Sequence, residues 1–157
     1  RVVTLQVDAH LVLAGGGPLR GELERQIRRL GLDDRIRLLG PRSDVPSLLK
    51  ACDVFAFPSR TEGLPNALLE AMAAGCAVVA TDVPGNRDLI EHNRTGLKVP
   101  YGDTLALSRA VASCLSDQAL RDRLGSTAST EVQHHWHVDQ TWTAYATRYG
   151  EVAAFPL

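Results

Sequence analysis

Apolar and polar positions change period along this chain in a regular way. Ala9 to Ala14 (Ala-His-Leu-Val-Leu-Ala) is a nearly continuous apolar run closed by Gly15-Gly16-Gly17-Pro18. A run of that kind predicts a buried strand in a parallel sheet, running into a glycine turn. Leu19, Leu23, Ile27 and Leu30 then recur at helical spacing. They predict a helix over Leu19 to Leu30, ended by Gly31. Arg35 to Leu39 predicts a strand stopped by Gly40-Pro41, and Val45 to Cys52 a short helix with Ser43 or Asp44 as its cap. Val54 to Phe57 predicts a strand, Leu64 to Ala74 a helix ended by Gly75, and Ala77 to Thr81 a strand closed by Pro84-Gly85. Thr95 to Val99 predicts a last short strand, followed by helices over Asp103 to Leu115, Gln118 to Gly125 and Trp142 to Ala154.

Strands alternating with helices over short connections predict an α/β fold, a Rossmann-like parallel sheet with helices on both faces. Residues 1–157 read as one domain, with 126–157 as a C-terminal helical segment. In such sheets ligands bind outside the carboxyl ends of the strands. Those ends carry Gly15 to Pro18, Gly40 to Arg42, Pro58 to Asn66 and Thr81 to Gly85, which are expected to line one crevice.

Composition narrows the function classes. The net charge of -1 argues against nonspecific nucleic-acid binding, and leaves small phosphorylated ligands open. No apolar run approaches the roughly 20 residues needed to cross a bilayer. A secretory pattern is missing at the start, and Arg1 opens a chain that reads as part of a longer one. Cys52, Cys76 and Cys114 form no C-x-x-C pair, so they read as buried thiols in a reducing compartment. His134, His135 and His137 surround Trp136, but no carboxylate spacing supports a metal site there, and none is assigned.

The stretch Ser59 to Gly75 carries the chemistry. Glu62 and Glu70 flank a Gly63-Leu64-Pro65-Asn66 turn that opens a helix. A helix start offers unpaired amides and the positive end of the dipole, which suit phosphate. A carboxylate accepts two charge-assisted hydrogen bonds from a diol, which suits a sugar or a ribose. Gly15-Gly16-Gly17 misses the Gly-x-Gly-x-x-Gly spacing because Arg20 holds the sixth place. It reads either as a tight connection or as a place where a ligand nears the backbone. Arg42 and Arg60 sit in crevice loops, where each is either a cation for a diphosphate or a surface residue. Arg20, Glu22, Glu24, Arg25, Arg28 and Arg29 read as a solvated helix face.

Ser59-x-x-Glu62-Gly63-Leu64-Pro65-Asn66-Ala67-Leu68-Leu69-Glu70-Ala71-Met72-Ala73-Ala74-Gly75, with Val78-Val79-Ala80-Thr81, resembles the E-x7-E signature of retaining GT-B glycosyltransferases of group 1. Val12 to Pro18, Ile36 to Gly40, Asp44 to Pro46, Ala51 to Val54 and Thr95 to Pro100 resemble the same family, so the likeness covers about residues 8–125. It implies the C-terminal, donor-binding half of a GT-B fold, lacking its first strand and the basic Arg and Lys pair that follows it. It implies transfer of a hexose from a nucleoside diphosphate sugar to an acceptor hydroxyl, without a cofactor or metal. Glu62 would hold hydroxyls of the donor sugar as the catalytic-site carboxylate, with the amides of Gly63 and Leu64 against the same sugar. The helix start at Asn66, Ala67 and Leu68 would meet the diphosphate and Glu70 the ribose. Gly15 and Gly16 would let the ligand approach, while Gly40, Arg42 and Val45 would frame the base. The implied partner is an N-terminal acceptor-binding domain of the same protein, and the implied place is the cytoplasm or the inner face of the membrane. A nucleotide-sugar epimerase and a noncatalytic nucleotide-sugar binding module are the alternative readings.

Overall fold

The computed structural model describes residues 8–136. Eleven elements follow one another: β1 (Leu11–Ala14), α1 (Arg20–Arg29), β2 (Ile36–Gly40), α2 (Val45–Lys50), β3 (Val54–Phe57), α3 (Asn66–Ala73), β4 (Ala77–Thr81), α4 (Pro84–Leu89), β5 (Leu97–Val99), α5 (Thr104–Ser116) and α6 (Gln118–His135). All strand pairing is parallel, as the alternation predicts, but it falls into two sheets, β1-β2 and β3-β4-β5. Among the described residues β1, β2, β3 and β5 each keep one unpaired edge.

The core is built around β4, all five of whose residues are buried. Strand alternation sends Val78 and Ala80 to one face and Ala77 and Val79 to the other. The first face packs against Leu68, Ala71 and Met72 of α3 and Ala128 of α6. The second packs against Leu97 and Val99 of β5, Cys114 of α5 and Leu124 of α6. Asp103 and Asp117 cap the last two helices, Asp103 accepting from the Leu105 and Ala106 N–H groups and Asp117 from that of Leu120. Among the described residues no helix is long and apolar enough to cross a membrane.

Four expectations change. The strand expected to be buried at Ala9 to Ala14 is exposed: Leu11, Val12 and Leu13 are 45%, 50% and 39% accessible. An apolar strand of a parallel sheet needs cover on both faces, and α1, which buries none of its residues, gives little. Pro84-Gly85 opens α4 instead of closing a turn, because proline at the first helical position loses no hydrogen bond. Asp44 occupies the start of α2 without capping it, since its carboxylate turns to Arg42. Finally, α6 runs through Gly125 to His135. Gly125 is there for close approach, since a Cβ on it would lie 2.0 Å from the Gly75 carbonyl oxygen. The helix expected over Trp142 to Ala154 lies outside the described residues.

Candidate functional site

The first group of site residues lies at the carboxyl ends of β1 and β2. Gly15 has φ of +124° and Gly40 of +71°, both in the region that favours glycine. The Gly15 N–H donates to the Gly40 carbonyl at 2.7 Å, so the two turns are stitched together. Gly16 packs by Pro41, where a Cβ would sit 3.4 Å from the ring. Arg20 comes back over β2, donating to the Leu38 carbonyl at 3.2 Å, beside Gly40. It also pairs with Glu24 across one helical turn. Arg42 forms a two-pronged pair with Asp44, at 2.7 and 2.6 Å. Hydrogen bonding and charge hold the Asp44 carboxyl below its ordinary range and the Arg42 guanidinium above its own. The charge of Arg42 is therefore matched. Val45, expected beside a base, packs its side chain on the core cluster of α3 and β4.

The second group surrounds the start of α3. Pro65 stands at the N-cap position in extended conformation, one place before the first helical turn it was expected to open. The amides of Leu68 and Leu69 both donate to the Pro65 carbonyl, at 3.0 and 3.1 Å. The amides of Asn66 and Ala67 have no acceptor among the described residues, and both residues are exposed. They are the open donors of this helix end. Leu68, expected to share in this, instead closes the turn through its amide and buries its side chain completely. Glu62 is half-buried in the loop after β3 and Glu70 is exposed on α3. Neither carboxylate has a hydrogen-bond or ion-pair partner among the described residues. Gly63 faces open space, and Leu64 is 57% exposed. Arg60, in the same loop, is exposed and unpaired among the described residues.

Sequence reasoning missed the residues that hold this loop. The Thr81 hydroxyl donates to the Ser59 carbonyl at 2.5 Å. Asn86, fully buried, donates through Nδ2 to the Thr81 carbonyl at 2.9 Å, while its Oδ1 has no partner among the described residues. Gly85 lies against the loop so closely that a Cβ would stand 2.3 Å from the Gly63 carbonyl oxygen. The signal was present in Pro84-Gly85-Asn86, but a turn and a helix start share those letters.

The cysteines are free thiols: Cys76 and Cys114 are buried and Cys52 is half-buried. Its neighbour Cys76 lowers the Cys52 thiol, which donates to the Val54 carbonyl at 3.1 Å, whereas the Cys76 thiol, donating to the Leu49 carbonyl at 3.1 Å, is raised by the same neighbour and by burial. Since the thiolate is the nucleophile, Cys52 is expected to be the first thiol alkylated by iodoacetamide near neutral pH. Peptide mapping that finds Cys76 or Cys114 labelled first would contradict this. His134 and His135 fall in the last turn of α6, where His135 faces Glu131 at 3.4 Å.

A parallel α/β fold with an open helix start between two unpaired carboxylates is an arrangement whose geometry suits a phosphorylated ligand. Comparison with known proteins gives the family. The model of the family described as "Glycosyl transferases group 1" matches residues 1–117, and the chain belongs to that family. It is 32% identical over 152 residues to the N-acetyl-alpha-D-glucosaminyl L-malate synthase of Bacillus anthracis, covering 97% of this chain and 40% of that protein. The crystal structure of Anabaena Alr3699/HepE in complex with UDP and glucose superposes with a TM-score of 0.88 at 28% identity, over 96% of this chain and 43% of the other. The C-terminal domain of a group 1 family glycosyl transferase (LpcC) from Francisella tularensis superposes with a TM-score of 0.75 at 25% identity, over 87% of this chain and 75% of that one. The chain thus spans about two fifths of the length of the malate synthase and of the Alr3699/HepE chain.

Proposed function

We propose that this chain is the donor-binding half of a retaining glycosyltransferase, moving a hexose from a nucleoside diphosphate sugar to an acceptor hydroxyl. The observation that carries the proposal is the start of α3. Two open amides, Asn66 and Ala67, stand between two carboxylates without partners, eight positions apart. In this reading the amides meet the diphosphate, Glu70 the ribose, and Glu62 the hydroxyls of the sugar. The Gly15 and Gly40 turns, with Gly16 beside them, leave room for the ligand on the other side. Arg60 is the crevice-loop cation left over for the diphosphate, because Arg42 is matched by Asp44. Electrostatic stabilisation of the departing diphosphate is the main catalytic demand, and further cations from the rest of the protein would share it. The unpaired edges of β1 and β3 and the bare apolar face of β1 support completion of the sheet by another strand of the same protein, together with an N-terminal acceptor-binding domain. The reaction needs no metal in this reading, and the enzyme works in the cytoplasm or at the inner face of the membrane. The co-crystallised UDP and glucose of Alr3699/HepE make uridine donors the first to test.

Calorimetry on the full-length protein with UDP-glucose, UDP-N-acetylglucosamine, UDP-galactose and GDP-mannose tests the proposal. At least one should bind, and Glu70→Ala should weaken it about 30-fold, the equivalent of about 2 kcal/mol for charge-assisted bonds to a ribose. Unchanged affinity in Glu70→Ala would remove the ribose role.

A further inference from the structure

We infer that Thr81, Gly85 and Asn86 act as a clamp that sets the position of Glu62 and Gly63, and so are positioning residues for the donor sugar. The inference rests on the donor-site reading for its ligand, but its geometry stands apart from it. Thr81 ends β4 and is 3% exposed, and Asn86 in α4 is fully buried. Asn86 Nδ2 ties the start of α4 to the end of β4 through the Thr81 carbonyl, at 2.9 Å. Thr81 Oγ1 then donates outward to the Ser59 carbonyl, at 2.5 Å. Gly85 closes the contact, because its missing side chain leaves room for the carbonyls of Glu62 and Gly63, which a Cβ would meet at 2.8 and 2.3 Å. The loop from Pro58 to Gly63 is thus held from behind by β4 and α4, which leaves its Glu62 carboxylate free.

The nucleotide side of the site is anchored differently. Helix α3 is fixed by Leu68, Ala71 and Met72 in a core cluster that Leu89 of α4 shares, and it has no hydrogen bond to Thr81, Gly85 or Asn86 among the described residues. Loosening the clamp should therefore change sugar recognition and spare nucleotide recognition. A group held within a fraction of an ångström by its supports loses its contribution when they loosen.

The test uses the full-length protein with Thr81→Val, Thr81→Ser and Gly85→Ala. Thr81→Val keeps the shape and removes the hydroxyl, while Thr81→Ser restores it. The clamp predicts that Thr81→Val weakens UDP-glucose about tenfold, leaves UDP within about twofold, and is rescued by Thr81→Ser. It also predicts faster tryptic cleavage after Arg60 in the unliganded Thr81→Val and Gly85→Ala proteins, with cleavage after Arg109 in α5 unchanged. Equal weakening of UDP and UDP-glucose would overturn the clamp, and so would unchanged cleavage after Arg60. Cleavage is read without ligand. A parent protein that binds neither probe would therefore count against uridine donors and leave the clamp to be decided by cleavage. If Gly85→Ala does not fold, the Thr81 pair carries the test.

Discussion

Glu62→Ala in the full-length protein is expected to lower kcat/KM for sugar transfer by about two orders of magnitude, with nucleoside diphosphate affinity held within about threefold. Two charge-assisted hydrogen bonds from a sugar diol, each contributing at least about 1.5 kcal/mol, give that factor. The asymmetry follows from position. Glu62 lies in the loop after β3, half-buried and unpaired, while the open amides belong to α3. Its carboxylate makes no internal bond among the described residues, so removing it leaves no buried partner stranded. Stability should therefore hardly change, and the loss should appear only when the ligand carries a sugar. If Glu62→Ala lost nucleoside diphosphate affinity as strongly as turnover, Glu62 would not be a sugar ligand.

The second large effect is structural. Gly125→Ala is expected to destabilise the protein by about 3 kcal/mol, at the upper end for overpacking, and to lower its melting temperature by several degrees. In an exposed helix the same change would add about 1 kcal/mol of helix propensity. Here a Cβ would stand 2.0 Å from the Gly75 carbonyl oxygen and 2.9 Å from the Gly75 carbonyl carbon. Both are backbone atoms, and Gly75 itself is pinned with φ of +82° at the end of α3. Relief requires α6 to move off the α3–β4 corner, which would open the cluster of Val78, Ala80 and Ala128. A melting temperature equal to or above that of the parent would contradict this packing.

Much of the central sheet was legible in the sequence. Val54–Phe57 and Ala77–Thr81 form strands with the expected bounds, because each is an apolar run fenced by proline, glycine or cysteine-containing turns. The helix start between Glu62 and Glu70 was legible for the same reason: the turn that opens α3 is local. What escaped was set by distant contacts. Thr81 meets Ser59 across 22 positions, and Gly125 meets Gly75 across 50. No local pattern encodes either. The exposure of β1 was also hidden, since an apolar run reports what a strand needs and not what covers it. The sequence leaves Arg42 open between a diphosphate cation and a surface residue, because a carboxylate two positions on signals a helix cap more readily than an ion pair.

A crystal structure of the full-length protein with the nucleoside diphosphate it binds tests the account most directly. Diphosphate oxygens are expected within about 3 Å of the Asn66 and Ala67 amides, with the ribose hydroxyls on the Glu70 carboxylate. A nucleotide seated away from the start of α3, or a ribose that leaves Glu70 untouched, would contradict it.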